Sequence, residues 1–150
     1  MKVNTLMIFS FLGFCCFSVE SKPVPTIIFN KEVQHCLDSF PGKSVECLSD
    51  LKDASEEAVD NAFHKKEAEL TQFDYNKWRT GTDEQKKDMI SGFRKSQKSW
   101  EDYKMQYCQV ISTGAEDTNG YSSILLSCVV NMNKQRIKDI EMITPDISPK

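Results

Sequence analysis

The chain has 150 residues, of which 39% are hydrophobic, and a formal net charge of −3. This length is enough for one domain with a modest core. Because the chain is acidic overall and has no dense stripe of lysine and arginine, we expect no nucleic-acid partner.

The first residues have the pattern of a secretory signal peptide. Lys2 precedes an apolar run over residues 6–17, and the small residues Ser18 and Ser21 offer cleavage points. We expect cleavage after Ser21, with Ser18 as the alternative, so that residues 1–21 are removed. The run is too short and too near the start to predict a membrane span.

The signal pattern predicts export to the periplasm or release from the cell. A lipoprotein that carries its lipid on Cys15 is the less favoured alternative, because Phe14 occupies a position that normally needs a small residue. No later segment is long and apolar, so no membrane span is predicted after cleavage.

Four cysteines follow the signal, and in an oxidising compartment they are expected to form disulfides. They allow three pairings. The sequence-near pairing, Cys36 with Cys47 and Cys108 with Cys128, best fits a plan of helical hairpins. Each bridge would stabilise the fold by about 3 kcal/mol on the chain-entropy model. No CxxC pair exists and the two histidines lack ligand spacing, so we expect no metal site.

The segment after the signal begins as an extended arm. Pro23 and Pro25 predict extended backbone over residues 22–29, and a short helix follows over residues 31–38. A Pro-Gly pair at 41–42 ends this helix.

A long second helix is predicted from about Val45 toward Trp78, with Ser44 as its cap. Apolar side chains recur in it at close to the helical period. They are Leu48, Leu51, Ala58, Val59, Ala62, Phe63, Leu70 and Phe73.

The third and fourth helices flank a polar loop. Thr82 with Gln85 forms a capping-box pattern that begins the third helix. Residues 112–120 are loop by composition, the last helix spans about 123–142, and the prolines of 142–150 predict a flexible tail. The fold class is therefore all-α: a small disulfide-stabilised helical bundle with three long helical segments and a short N-terminal helix.

Charge is unevenly distributed along the helices. Residues 46–69 hold eight acids against three bases, and residues 77–104 hold eight bases against five acids. We favour the interpretation that two antiparallel helices of opposite bias pair with each other. The alternative is that the acidic helix faces a basic partner.

No motif predicts an enzyme. The chain has no HExxH, no GxSxG and no glycine loop that would cradle a phosphate. His35 and His64 are interpreted as surface or packing residues rather than acid–base groups. We expect no catalytic residue and no cofactor.

Two polar residues lie on helix sides that are otherwise apolar. Gln97 and Arg136 are interpreted as forming either a buried hydrogen bond or a snorkelling side chain between the two disulfide-linked helices, with ligand contact as the alternative. Trp100 and Tyr103 are interpreted as core-filling aromatic residues.

The stretch from Gln97 to Ile140 also carries a family resemblance. Its spacing resembles the lysozyme inhibitor LprI-like family of bacterial exported domains. The residues that match are Gln97, Trp100, Tyr103, Lys104 and Cys108, followed by Cys128, Asn133 and Arg136. Upstream, Val59-Asp60-x-x-Phe63 resembles the family's Leu-Asn-x-x-Tyr element. The resemblance spans residues 36–141, which leaves 22–35 as the arm and the start of the short helix.

Three positions depart from the family pattern. Lys104 stands where the family has Arg, Asn133 where it has Thr, and Ile140 where it has Leu. Lysine cannot make the two-pronged contact of arginine, whereas Asn133 can still form hydrogen bonds. The resemblance implies that Gln97, Trp100, Tyr103, Lys104, Asn133 and Arg136 form the scaffold of the domain.

The resemblance implies a non-enzymatic envelope protein that binds host-type lysozyme and blocks cell-wall hydrolysis. Host lysozymes are typically strongly basic, so the acidic stretch 46–69 is expected to steer association. The loop 112–122 is the candidate partner-binding segment, with Asp117, Tyr121 and Ser122 as its polar groups.

Two further hypotheses remain open. In the first, the protein is an interaction or structural module of the envelope, or a secreted factor, without lysozyme activity. The other is an inhibitor similar to the four-cysteine helical inhibitors of plant cell-wall enzymes, which ranks last because the Gln–Trp–Tyr pattern does not support it.

Overall fold

The computed structural model describes residues 26–40, 42–75 and 81–145. These ranges contain four α-helices and no strand, which confirms the all-α prediction. The helices are α1 (Lys31–Ser39), α2 (Ser44–Gln72), α3 (Asp83–Ser112) and α4 (Tyr121–Glu141), with a 3₁₀ turn at Thr113–Ala115. The predicted signal peptide (1–21), the start of the arm, Trp78 and the last five residues of the tail lie outside the described residues.

The capping box at the start of α3 is confirmed. The Thr82 Oγ1 accepts a hydrogen bond from the Gln85 amide at 3.2 Å, and the Gln85 Oε1 accepts one from the Thr82 amide at 3.0 Å. A similar cap holds α1, because the Asn30 Oδ1 accepts from the amides of Glu32 and Val33 at 2.8 and 2.9 Å. Each cap satisfies amides that have no partner inside the helix.

The predicted cap of α2 is wrong by one residue. Ser44 is the first helical residue, because the carbonyl of Lys43 already accepts the first helical hydrogen bond from the Cys47 amide at 3.2 Å. Gly42 has a φ of 82°, a left-handed conformation that glycine adopts without strain, and it turns the chain from α1 into α2. The helix ends earlier than predicted, because Phe73 takes up extended backbone with ψ of 131°.

The last helix begins two residues before its predicted start. The amide of Ile124 donates to the carbonyl of Gly120 at 3.0 Å, so the helical ladder starts at Gly120 and Tyr121 is helical. Composition favoured a loop before this helix because residues 112–120 are mostly small and polar. The hydrogen bonds of the turn decide the boundary instead.

The bundle consists of two helical hairpins, α1 with α2 and α3 with α4. The α2 and α4 helices run in the same direction, since Leu48 near the start of α2 shares a core cluster with Val130 at the middle of α4, and Leu70 shares one with Ile140 near the ends of both. The α3 helix runs opposite to both and contributes Phe93 to the second of these clusters. Helices α2 and α3 are therefore antiparallel, as predicted.

Each hairpin is closed by a disulfide near the end where α2 and α4 begin. Cys36 is bonded to Cys47 with Cα atoms 5.5 Å apart, and Cys108 to Cys128 with Cα atoms 5.6 Å apart. These are the sequence-near pairs. The second bridge is completely buried and lies among Val129, Met132 and the half-buried Trp100.

The described ranges contain neither a candidate membrane span nor a candidate metal site. No described helix combines the length and the apolar character that crossing a membrane requires. No three His, Cys, Asp or Glu side chains in the same ranges are close enough together to hold a metal ion.

One ion pair joins α2 to α3 at the end of the bundle far from the disulfides. The Arg94 Nε lies 2.5 Å from the Glu67 Oε1. This hydrogen bond from Arg94 holds the pKa of the Glu67 carboxyl below its ordinary range. Because the folded-state pKa is the lower one, the stabilisation is complete above the ordinary glutamate pKa and is lost as the pH falls through the lowered pKa.

We therefore expect Glu67→Gln to reduce the free energy of unfolding at neutral pH and to have no effect in acid. The loss should not exceed about 1 kcal/mol, because the Arg94 side chain is 63% exposed and exposed ion pairs contribute little. Urea unfolding of both proteins between about pH 7 and pH 3 measures the difference. A difference that stays constant over this range would contradict the assignment.

Candidate functional site

A layer of polar side chains occupies the middle of the interface between α3 and α4. The Arg136 Nε donates to the Gln97 Oε1 at 2.9 Å, and its Nη2 donates to the Ser96 Oγ at 3.1 Å. Gln97 and Arg136 are 6% and 9% exposed. The structure thus forms the buried hydrogen bond that their position on apolar helix sides predicted.

A second chain of hydrogen bonds extends the layer to α2. The Lys104 Nζ donates to the Asn133 Oδ1 at 3.1 Å, and the Asn133 Nδ2 donates to the Ser55 Oγ at 2.8 Å. The Ser55 Oγ in turn donates to the carbonyl of Lys52 at 2.8 Å. The three long helices α2, α3 and α4 are therefore joined through buried polar atoms.

Trp100 lies between the two cations of this layer. The Lys104 Nζ is 4.7 Å from the Trp100 ring centroid, and the Arg136 Cζ is 5.6 Å from it. Both distances are within the range of a cation–π interaction. Burial lowers the pKa of the Arg136 guanidinium, and the nearby carboxylates of Asp139 and Glu101 oppose this shift. The indole replaces part of the hydration that the cations lose.

Tyr103 is not a core residue, and that prediction is wrong. Its side chain is 53% exposed, and its ring packs against Tyr107 one turn further along α3 with centroids 5.4 Å apart. The helical period places position 103 at the edge of the buried face, so a large side chain there projects into solvent. Trp100 is half-buried.

The layer opens into a shallow cavity of about 230 Å³ between α2 and α3. Three carboxylates line its rim: Glu56, Asp60 and Glu101. The Lys104 Nζ lies 3.7 Å from the Glu56 Oε1, and the Gln97 Nε2 donates to the Glu101 Oε1 at 3.1 Å. The carboxylates of the rim therefore compensate the positive charge buried beneath them. The described residues that line the cavity include no histidine or cysteine thiol that would perform proton or acyl transfer.

Sequence reasoning missed the partners of this layer on α2 and α3, which are Ser55, Glu56, Ser96 and Glu101. A signal for Ser55 exists, because it fills the gap between Leu51 and Val59 in the apolar period of α2. A buried serine at that point is 7% exposed and requires a hydrogen-bond partner. Ser96, Glu56 and Glu101 lie on helix edges and have no comparable signal.

The predicted partner-binding loop is shorter and more ordered than expected. Ser112 belongs to α3, while Tyr121 and Ser122 belong to α4. Between them, the Thr118 Oγ1 donates to the carbonyl of Ala115 at 2.6 Å and accepts from the Gly120 amide at 3.1 Å.

Of the three residues predicted to bind a partner, Asp117 and Ser122 are exposed and Tyr121 is half-buried. Asp117 has a φ of 66°, a left-handed conformation that Asp tolerates better than most residues. The loop therefore presents the Asp117 carboxylate at the end of the bundle on a fixed turn.

Five carboxylates form a row along the outer side of α2, opposite the core. With spacings of three and four residues they occupy one strip of the helix surface. We call Glu46, Asp50, Asp53, Glu57 and Asp60 the acidic row. Their side chains are exposed.

The favoured interpretation, that α2 and α3 neutralise each other, accounts for only part of the charge. Within the described residues two ion pairs link these helices, Arg94 with Glu67 and Lys104 with Glu56. In the acidic row, Asp53 pairs with Lys52 of its own helix at 3.1 Å, and no ion pair joins the row to α3 among the residues that the structure describes. Most of the row is left to face solvent or a partner.

The comparisons with known proteins identify a family. A family model described as lysozyme inhibitor LprI matches residues 38–140, which is more than half of the 150-residue chain. The matched range includes all of α2 and α3 and reaches Ile140 in α4. No curated protein and no solved structure matches the chain.

Asn133 joins Lys104 to Ser55 in the polar layer, so removing its side-chain amide should destabilise the fold. We expect Asn133→Ala to lower the free energy of unfolding by about 2–3 kcal/mol, because Lys104 loses its acceptor and Ser55 its donor. Asn61→Ala, at an exposed position of α2, is the matched control and should change it by less than about 0.5 kcal/mol. Equal losses for the two variants in urea unfolding would show that the layer does not stabilise the bundle.

Proposed function

Because the chain belongs to the lysozyme inhibitor LprI family, we propose that it is an exported, non-enzymatic protein that binds host-type lysozyme and blocks cell-wall hydrolysis. The family match over residues 38–140 is the observation that carries this proposal. The disulfides agree with export, since bonds of this kind persist in oxidising compartments.

The charge of α2 supports binding to a basic protein. The acidic row runs over 15 residues, or about 21 Å of helix at 1.5 Å per residue. Repulsion between carboxylates three and four residues apart weakens the free helix slightly, and a cationic surface would relieve it. Such a row raises the rate of encounter with a strongly basic protein more than it raises final affinity.

The position of the loop supports a contact that blocks the active site. Residues 113–120 lie at the end of the bundle where α2 begins, so the acidic row leads toward the loop. The loop is short and internally hydrogen-bonded, and the buried Cys108–Cys128 bridge closes its base. A pre-ordered loop loses little conformational freedom on entering a cleft, which leaves more of the contact energy as affinity.

The protein recovered after export, with both disulfides formed, should inhibit a strongly basic lysozyme in a cell-wall lysis assay at micromolar concentration. The association rate constant should fall several-fold between about 50 and 200 mM salt, because screening shortens the range of the attraction. The absence of inhibition at micromolar concentration would refute the proposal and favour an envelope interaction module.

The charge dependence of that rate constant can be localised with two matched variants. The double variant Asp50→Asn with Asp60→Asn removes two negative charges from the acidic row. The double variant Asp88→Asn with Asp102→Asn removes two negative charges from exposed positions of α3. The first variant should slow association several-fold and the second much less. Equal slowing would mean that net charge alone steers the encounter.

The loop is tested by a substitution that keeps its backbone. Asp117→Gly removes the carboxylate while glycine retains the left-handed φ, so the melting temperature should not fall. Inhibition by this variant and by Ser122→Ala should weaken by about tenfold, or about 1.4 kcal/mol. Ser91→Ala, an exposed serine of α3, is the control for the second change. If both loop variants inhibit as well as the wild type, the loop does not enter the cleft.

A further inference from the structure

A groove runs along the side of α2 that adjoins α1 and α4. Its first part, of about 480 Å³, lies between α1 and α2 and has the Cys36–Cys47 disulfide in its wall. Its second part, of about 200 Å³, lies between α2 and α4. Glu32 and Leu51 line both parts, so the two lie end to end.

The floor of this groove is apolar and shallow. Small side chains at Ala54 and Ala58 leave room between Leu51 of α2 and Ile137 of α4. Both alanines are exposed, and both larger side chains are half-buried. Measured along α2 from residue 47 to residue 58, the groove is about 16 Å long, or three helical turns.

The acidic row follows one edge of the groove over its whole length. Three α2 residues of the floor come directly after a carboxylate: Leu51 after Asp50, Ala54 after Asp53, and Ala58 after Glu57. Asp50 itself lines the first part of the groove.

Among the described residues that line the groove, those on the opposite edge carry no comparable excess of charge. Lys134 of α4 is paired with Glu32 of α1, and Lys31 adds one cation at the α1 end. The groove therefore combines an apolar trough with a negative border on one side.

We propose that this groove binds cationic amphipathic helical peptides. The apolar side of such a helix, with residues spaced three and four apart, fills the trough over Ala54 and Ala58. Its lysines and arginines then face the acidic row. The small alanines permit close approach of the peptide backbone, and the spacing of the carboxylates matches that of basic residues on consecutive helical turns.

The contact surface for such a peptide differs from the loop proposed to enter lysozyme, although the acidic row borders the groove and is also proposed to steer lysozyme. A peptide of this kind is short and linear and occupies three turns of groove, whereas inhibition is assigned to the loop at residues 113–120. An exported protein with such a groove would remove membrane-active cationic peptides from solution. The two activities fail separately, because Ala58 and Asp117 belong to different surfaces.

A synthetic helical peptide of leucine and lysine, labelled for fluorescence anisotropy, is the probe. A peptide of the same composition, scrambled so that no apolar face forms, is its control. The full chain with both disulfides intact should bind the amphipathic peptide at least about tenfold more tightly than the scrambled one, a difference of about 1.4 kcal/mol. Equal affinity for both peptides would overturn the proposal, since it would show charge attraction without the trough.

Matched variants of the protein locate the site. Ala58→Arg places a bulky cation in the trough and should weaken binding by at least about tenfold. Ala68→Arg makes the same change at an exposed position of α2 beyond the groove and should change affinity by less than about twofold. Arginine favours helix at both positions, so neither variant should unfold α2. Equal affinities for these two variants would place the peptide elsewhere.

The acidic border is tested in the same assay. Asp53→Asn with Glu57→Gln should weaken binding of the amphipathic peptide several-fold and reduce its dependence on salt. Asp88→Asn with Asp102→Asn removes two charges from exposed positions of α3 and should leave affinity nearly unchanged. Equal weakening by the two double variants would contradict a role for the acidic row.

Discussion

Two cations buried between the helices impose the main constraint on this bundle. Lys104 and Arg136 are both less than a tenth exposed, and a buried cation without partners is strongly destabilising. Their partners come from α2, α3 and α4, so the charges are compensated only when the three helices are in one register. A shift of one turn along α3 would separate Arg136 from Gln97 and Lys104 from Asn133 at once.

The two disulfides act on the same register from one end. Both lie near the starts of α2 and α4, whereas the far end relies on packing of Leu70, Phe93 and Ile140 and on the exposed Arg94–Glu67 pair. The fold is therefore covalently fixed where the loop, the acidic row and the groove are found. Surfaces held in this way change shape little on binding, which favours recognition by pre-formed contacts.

The same helix, α2, serves packing and recognition with different sides. Its inner side carries Leu48, Ser55 and Val59 into the core and the polar layer. Its outer side carries the acidic row, and the strip between them carries the two exposed alanines of the groove. A long helix with so few exposed apolar side chains does not need a partner to cover its outer side, and its charge and shape fit the two basic ligands proposed above.

The sequence by itself determined the helices, the capping box at Thr82 and the position of Gln97 and Arg136 between the two disulfide-linked helices, because these follow from local periodicity and from polar residues on apolar helix sides. It located the acidic row only as a biased composition. Tertiary structure decided the rest. Tyr103 proved exposed, since the helical period does not fix where the edge of a buried face lies. Ser55 joined α2 to the polar layer, and the groove formed beside α2. Both depend on how α2 packs against its neighbours, and that packing is set by contacts between residues far apart in the chain.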